Sequence, residues 1–223
     1  MSEREYPQTD YSRPPEAIEI VLVRHGASQA AVEGQPFELL EGQADPSLAD
    51  EGRNQALRVA MHLAEEPMDQ LFITPLCRTA QTAEPLAAMT GFEPIVVPDL
   101  REVHLGELDG GAFRVALERG DPRIAEVFEQ QRWDVVPGAE RMEDLAARVR
   151  AGIEFIIDRA QAGSTVIAIV HGGIIGEICR QATGSEPFAF THAANGSLTR
   201  LVVFADGRWR VRTFNEGGHL LRS

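Results

Sequence analysis

Two apolar runs dictate the centre of this chain. Ile18, Ile20, Val21, Leu22 and Val23 lead into Arg24-His25-Gly26, and Val166, Ile167, Ala168, Ile169 and Val170 lead into His171-Gly172. Short continuous apolar runs rich in β-branched residues and bounded by glycine are the pattern of strands covered on both faces, as inside a parallel sheet. Such a sheet binds ligands in the crevice beyond the carboxyl ends of its strands. Two histidines at two such ends, an arginine beside the first and a glycine after each, therefore predict one site that both imidazoles face.

The remaining sequence alternates helical with strand patterns. The polar, proline-containing stretch 1–16 reads as a flexible leader and 17–223 as a single domain, which 223 residues at 43% hydrophobic content can support. A loop from Gly26 to Pro46 leads into a helix starting near Asp50 and ending before Pro67, with Leu57, Ala60, Met61 and Ala64 on one face. Leu71 to Ile73 predicts a short buried strand, Thr74-Pro75 a helix start, Arg78 to Met89 the helix and Gly91 its end. Glu93 to Pro98 predicts another short strand. Leu100 to Gly111 is dense in Glu, Asp, Gly and His, the make-up of a functional loop. With the interrupted helical pieces between Ala112 and Trp133 it forms a cap region at about 103–137. A helix from about Glu140 to Ala160, a strand Thr165 to Val170, a helix opening after His171 and a terminal hairpin turning at Asp206-Gly207 follow. The expected fold class is α/β: a three-layer α/β/α sandwich whose central sheet is mostly parallel with an antiparallel edge strand.

The formal net charge of -13 opposes general binding to nucleic acid or to anionic membranes. A cationic pocket can still hold a small anion, because charges beyond about 10 Å are largely screened at ordinary salt. No run of 18 apolar residues occurs, so no membrane span and a cytoplasmic location are expected, and Cys77 and Cys179 read as free thiols of a reducing compartment. An edge strand or apolar helix face leaves a homodimer open.

Arg24, Arg78, His25 and His171 supply guanidinium forks and imidazole donors, and a tetrahedral oxyanion such as phosphate best uses several converging donors. Arg78 lies one turn into a predicted helix and His171 precedes a glycine-rich one, so free backbone N–H groups, that of Gly172 among them, and the positive helix ends add to the same pocket. A histidine in that company either hydrogen-bonds the phosphate or attacks phosphorus through an unprotonated ring nitrogen. The attack needs a proton donor for the departing alkoxide, for which Glu102 is the leading candidate, with Glu107 and Asp109 behind it. No dense metal-ligand cluster and no nucleotide-binding glycine pattern is present, so neither a metal nor a cofactor is expected. The expected partner is a small phosphorylated metabolite.

These motifs, in this order, resemble the histidine phosphatase superfamily, the phosphoglycerate mutase-like proteins, from Ile18 to Asn195. Arg24-His25-Gly26 is similar to the family's catalytic triplet. Asp45-Pro46-Ser47-Leu48 with Glu51-Gly52-Arg53-Asn54-Gln55-Ala56, and the run from Thr74-Pro75-Leu76 through Arg78 to Gln81-Thr82-Ala83, resemble its next two motifs. Leu100-Arg101-Glu102, Pro137-Gly138-Ala139-Glu140 and Val170-His171-Gly172-Gly173 continue the match. The resemblance implies His25 as the phosphorylated nucleophile, Glu102 as proton donor, and Arg24, Arg78 and His171 as the phosphate pocket. It implies onward transfer to water in a phosphatase or to another hydroxyl in a mutase.

Departures from the family pattern bear on function. Ala27 and Ala31 stand where the family often has glutamate and asparagine, with Ser28 and Gln43 as candidate substitutes. His104 and Asn195 are further candidate substrate contacts. Val103 and Leu105 replace the arginine and tyrosine of the mutases' acid loop, and the mutases' adjacent arginine pair is missing. Arg114, Arg119, Arg123 and Arg132 read as solvated helix surface, Trp133 as core or lid packing, and His219 as part of a mobile tail. The favoured activity is metal-independent phosphomonoester hydrolysis through a phosphohistidine on His25. A cofactor-dependent phosphoglycerate mutase and a non-catalytic phospholigand-binding relative are the alternatives.

Overall fold

The computed structural model describes residues 6–221, so the first five residues of the expected leader lie outside the described residues. The chain runs β1 (Ile18–Arg24), a short hairpin of β2 (Leu39–Leu40) and β3 (Gln43–Ala44), α1 (Asp50–Leu63), β4 (Gln70–Ile73), α2 (Cys77–Thr90) and β5 (Ile95–Val96). There follow α3 (Ala112–Arg119), α4 (Pro122–Gln130), α5 (Met142–Ile157), β6 (Thr165–Val170), α6 (Gly172–Thr183), β7 (Leu198–Val203) and β8 (Trp209–Glu216).

The two apolar runs are neighbours. Six strands form one sheet in the order β5-β4-β6-β1-β7-β8, the first four parallel and the β7-β8 hairpin antiparallel at the edge. Alternation along the strands sends side chains to opposite faces. Val21, Val23, Ile167 and Ile169 meet Val59, Ala60 and Leu63 of α1 and Ala83 and Leu86 of α2. Ile20, Leu22, Val166 and Ala168 meet Leu145, Val149, Ile153 and Ile156 of α5 and Ile174 and Ile178 of α6. Both faces are covered, so the strands carry continuous apolar sequence, and the fold is the expected three-layer α/β sandwich. Fully burying a Val or Ile side chain stabilises by roughly 1.5–3 kcal/mol. A one-residue slip would turn the whole set over, so this packing pins the register. A separate small core of Leu108, Ala116, Ile124, Val127 and Val136 holds the cap together.

Several boundaries differ from the sequence expectation. Helix α2 starts at Cys77 and not at Pro75: Leu76 still has extended backbone, and the Thr74 hydroxyl lies 2.9 Å from His171 Nε2. Strand β5 is shorter than Glu93 to Pro98, since Pro98 opens a 3-10 turn and brings no N–H to a ladder. The β2–β3 hairpin inside the Gly26–Pro46 loop was not foreseen; its turn residues Glu41 and Gly42 both have positive φ, at 50° and 87°. The tail expected to be mobile is instead tied down. His219 is buried, its Nε2 lies 2.9 Å from the Gly196 carbonyl and its ring stacks on His62, and Arg58 donates to the Leu220 carbonyl at 2.6 Å.

Candidate active site

Register creates the site. Arg24 is paired with Val170 across β1 and β6, and His25 N–H donates to the Val170 carbonyl at 3.0 Å, so the next residues along both strands leave the sheet side by side. The rings of His25 and His171 stand edge to face, centroids 5.1 Å apart.

The hydrogen bonds of the His25 ring fix its proton. His25 Nδ1 lies 2.7 Å from the carbonyl of Gly26, which demands a proton on Nδ1. Nε2 is then the lone-pair nitrogen, and it accepts from Arg78 Nε at 3.2 Å. Burial first, then the positive charges of Arg78 and Arg24, hold the His25 pKa well below its ordinary value, so the ring is neutral at pH 7. His171 Nε2 lies 2.9 Å from the Thr74 hydroxyl, which also lies 3.1 Å from the Thr79 hydroxyl, itself a donor to backbone carbonyls. The His171 Nδ1 is buried with no partner among the described residues. Burial and then Arg78 hold this ring neutral too.

The motif residues around this pair each have a job. Gly26 and Gly52 let the loop after β1 touch the start of α1 backbone to backbone, where a Cβ on either would collide with main-chain atoms of the other segment. Gln55 Oε1 accepts from Ala27 N–H at 2.8 Å, and Thr82 Oγ1 from Gly26 N–H at 3.1 Å. Asp45 Oδ1 accepts from Cys77 N–H at 2.8 Å, satisfying a free donor at the start of α2, and Gln81 Oε1 accepts from Leu48 N–H at 2.7 Å. These bonds rigidify the loops that carry His25 and Arg78.

Arg24, His25, Arg78, Glu102, Gly172 and Gly173 line one cavity of about 260 Å³. Arg24 Nη1 donates to the Ala193 carbonyl while its Nε is buried and unpartnered; burial lowers its pKa, partly countered by Glu102. Arg78 Nη1 donates to the Ala44 carbonyl at 2.8 Å, with Asp45 at 3.8 Å. The Glu102 carboxylate accepts from its neighbour Val103 N–H at 3.0 Å and from Gly173 N–H at 3.4 Å, at the N-terminus of α6. The Glu102 carbonyl is clamped by Gln43 Nε2 and by Arg148 Nη2 at 3.0 Å, and Arg148 is itself paired with Glu140. Gln43 is buried and lines the cavity with its Oε1 open.

Ser28, His104 and Asn195 do not line it. Ser28 Oγ accepts from Arg114, His104 Nδ1 accepts from Gly106 N–H at 3.2 Å, and Asn195 Nδ2 donates to the His25 carbonyl at 2.8 Å. Glu107 points to Arg123, and both Asp109 oxygens are consumed by the N–H groups of Ala44, Leu105 and Gly110.

Arg114 is the residue that sequence reasoning missed. From α3 it reaches into the cavity wall and donates to Ser28 Oγ and to the Gln29 carbonyl, both at 2.7 Å. Loss of solvent, then repulsion from Arg24, lower its pKa. One signal was present: Ala27 and Ala31 leave no charged side chain after His25, so any further cation had to come from another element. The other cap arginines pair with carboxylates: Arg119 with Glu33, Arg123 with Asp121 and Arg132 with Asp134. Among the described residues no three His, Cys, Asp or Glu side chains are grouped as a metal site, and no helix is long and apolar enough to cross a membrane.

A mixed sheet with two strand-end histidines over a cationic floor defines a phosphoglycerate mutase-like α/β protein. Residues 20–217 match the profile of the histidine phosphatase superfamily (branch 1), and the chain belongs to that superfamily. It is 31% identical over 206 residues to phosphoglycerate mutase-like protein 4 of Arabidopsis thaliana, covering 91% of this chain and 86% of that one. It is 29% identical over 223 residues to the metal-independent phosphoserine phosphatase of the same plant, covering 98% and 90%. The native mycobacterial glucosyl-3-phosphoglycerate phosphatase superposes with a TM-score of 0.70 at 25% identity, covering 90% of this chain and 99% of that one. Proteins named for mutase and for phosphatase activity thus both resemble it.

Proposed function

We propose that this chain is a metal-independent phosphomonoesterase that works through a phosphohistidine on His25. The observation that carries the reading is the fixed neutral tautomer of His25: its Nδ1 proton is committed to the Gly26 carbonyl and its Nε2 lone pair lies beside Arg78 at the cavity floor. Two buried nitrogens without partners support an anion there: Arg24 Nε, and His171 Nδ1 as the donor of the tautomer whose Nε2 accepts from Thr74. An unsatisfied buried polar group costs about 1–3 kcal/mol, which phosphate oxygens accepting from both would offset.

In the proposed reaction the phosphate of the ester turns the Arg78 N–H from His25 Nε2 to a phosphate oxygen, freeing the lone pair. The N–P bond forms as the P–O bond to the alcohol breaks, and the protonated Glu102 carboxyl gives its proton to the leaving oxygen. The resulting carboxylate then takes a proton from water as that water attacks phosphorus; the N–P bond breaks and returns the lone pair to His25. Arg24, Arg78 and Arg114 with the neutral His171 N–H stabilise the transferring group. Hydrolysis is preferred over phosphoglycerate mutation because three of the four cap arginines are spent on carboxylates, leaving no arginine pair for a substrate carboxylate. The substrate is a small phosphorylated metabolite, and the location cytoplasmic.

Phosphate release from p-nitrophenyl phosphate should survive chelator and vanish in His25→Ala, and rapid quenching with labelled substrate should trap an acid-labile phosphoenzyme. Full activity in His25→Ala would overturn the mechanism. Turnover of 3-phosphoglycerate primed with its bisphosphate, without phosphate release, would make the protein a mutase.

A further inference from the structure

We infer that the alcohol half of the substrate is an aromatic or similarly flat apolar group, without a run of hydroxyls. The inference rests on the phosphatase reading and concerns the part of the cavity above the phosphate floor. Phe37, Leu105, Leu108, Phe113, Phe128 and Trp133 form that part. They are not a loose collection. Trp133 lies edge to face with Phe113 at 6.1 Å and against Phe188 at 4.7 Å, and Phe188 meets Phe128 at 5.9 Å. The wall is thus set in the cap's own core and shaped before any ligand arrives.

The polar side chains among these residues are few, and most are held by the protein. Asp109 accepts from three backbone N–H groups, and the Thr191 hydroxyl donates to the Phe188 carbonyl at 3.2 Å. Arg114, held by Ser28 and Gln29, carries its guanidinium 5.8 Å over the Phe37 ring, a cation beside this wall. His192 stacks on Phe128, centroids 5.9 Å apart at 23°, and so extends the aromatic surface. The open acceptor Gln43 Oε1 belongs to the buried side chain that clamps Glu102, down at the level of the ester. Most hydroxyls of a polyol such as a sugar would meet rings rather than partners on this wall. An aromatic ring offers apolar area and favourable edge-to-face partners to the same surface. A volume of about 260 Å³ suits a phosphate with a ring.

The test compares monoesters of primary alcohols, whose leaving groups are similarly poor: benzyl and 2-phenylethyl phosphate against ethyl phosphate, glucose 6-phosphate and 3-phosphoglycerate. The expected result is kcat/KM at least tenfold higher for the two aromatic esters. Phe113→Leu, which keeps bulk and removes the ring, should lower the benzyl-to-ethyl ratio severalfold. Equal or better turnover of glucose 6-phosphate or 3-phosphoglycerate overturns the inference. A turnover-independent arm measures binding of benzylphosphonate against methylphosphonate to the wild-type protein by calorimetry. At least tenfold tighter binding of the benzyl compound is expected, and equal affinities overturn the inference. Selective binding without hydrolysis of any ester would remove the phosphatase reading and leave the wall's preference standing.

Discussion

Gly173→Ala sets two effects of opposite sign against each other, and the structure says which decides activity. Gly173 lies in the first turn of α6 with an ordinary negative φ, so alanine there gains helix stability, about 0.5–1 kcal/mol. The added Cβ, however, would stand 2.7 Å from Glu102 Oε1 and 2.7 Å from Val103 Cγ2. Val103 is buried and packed in the main core, so the Glu102 carboxylate is the group that yields. Overpacking of this kind costs about 1–3 kcal/mol. The net loss of stability is then at most about 2.5 kcal/mol, and at roughly 2–4 °C per kcal/mol for a chain of this size Tm falls by less than about 10 °C. Activity should fall much further, because losing a positioned general acid costs about 10²–10⁴ in rate. The loss should also depend on the leaving group. With ethyl phosphate kcat/KM should drop at least a hundredfold; with p-nitrophenyl phosphate, whose leaving group needs no proton, less than tenfold. Glu102→Gln should give the same asymmetry. An equal loss on both esters in a folded protein would refute the placing of Glu102 as proton donor, and wild-type activity would refute the steric argument itself.

Other perturbations follow from the same geometry. Arg114→Leu should weaken competitive inhibition by inorganic phosphate by about 10-fold or more, since a hydrogen bond to a charged group contributes roughly 1.5–3 kcal/mol; an unchanged inhibition constant would return Arg114 to the surface role its position in α3 suggested. His25 and His171 are held neutral in the fold, so the unfolded chain binds more protons once pH drops below the ordinary histidine value of about 6.5. Stability therefore falls with falling pH from there, by up to about 1.4 kcal/mol per pH unit for each ring. Chemical denaturation at pH 7.5, 6.5 and 5.5 measures this, and His171→Gln should flatten the slope; a Tm independent of pH over that range would contradict it. Gly52→Ala drives a Cβ into the Ala27 carbonyl and should destabilise by at least about 2 kcal/mol, roughly 4–8 °C in Tm, with calorimetry as the check.

The centre of the molecule was legible because both strands are covered on both faces and each ends in a motif with chemical meaning. Continuous apolar sequence announces β1 and β6, and the His-Gly steps mark where each leaves the sheet. Glu102 was legible through its loop composition and the family motif around it. What escaped was set by tertiary packing. Arg114 has the spacing of a surface residue, and only the approach of α3 to the loop after His25 brings it inward. Ser28, His104 and Asn195 carry side chains suited to contacting a phosphate, yet each is consumed in holding a neighbour, which no local pattern encodes. The β2–β3 hairpin turns through Glu41-Gly42, a weaker signal than Asn-Gly or Asp-Gly. His219 reads as terminal, and its burial depends on α1, far away in sequence.

The shared register of β1 and β6 has a consequence for how this site can change. The separation of the two imidazoles is set by a ladder of backbone hydrogen bonds, in which Arg24 faces Val170. A ladder admits only whole steps of roughly 3.3 Å, and each single step also swaps the faces of the sheet. The chemical centre therefore has no small adjustments available to it: substitutions either leave it alone or break it. The cap, with a small core of its own, is free of that constraint and can be resculpted a side chain at a time. A lineage built on this plan would diversify in what it accepts while its reacting atoms stay where the ladder puts them.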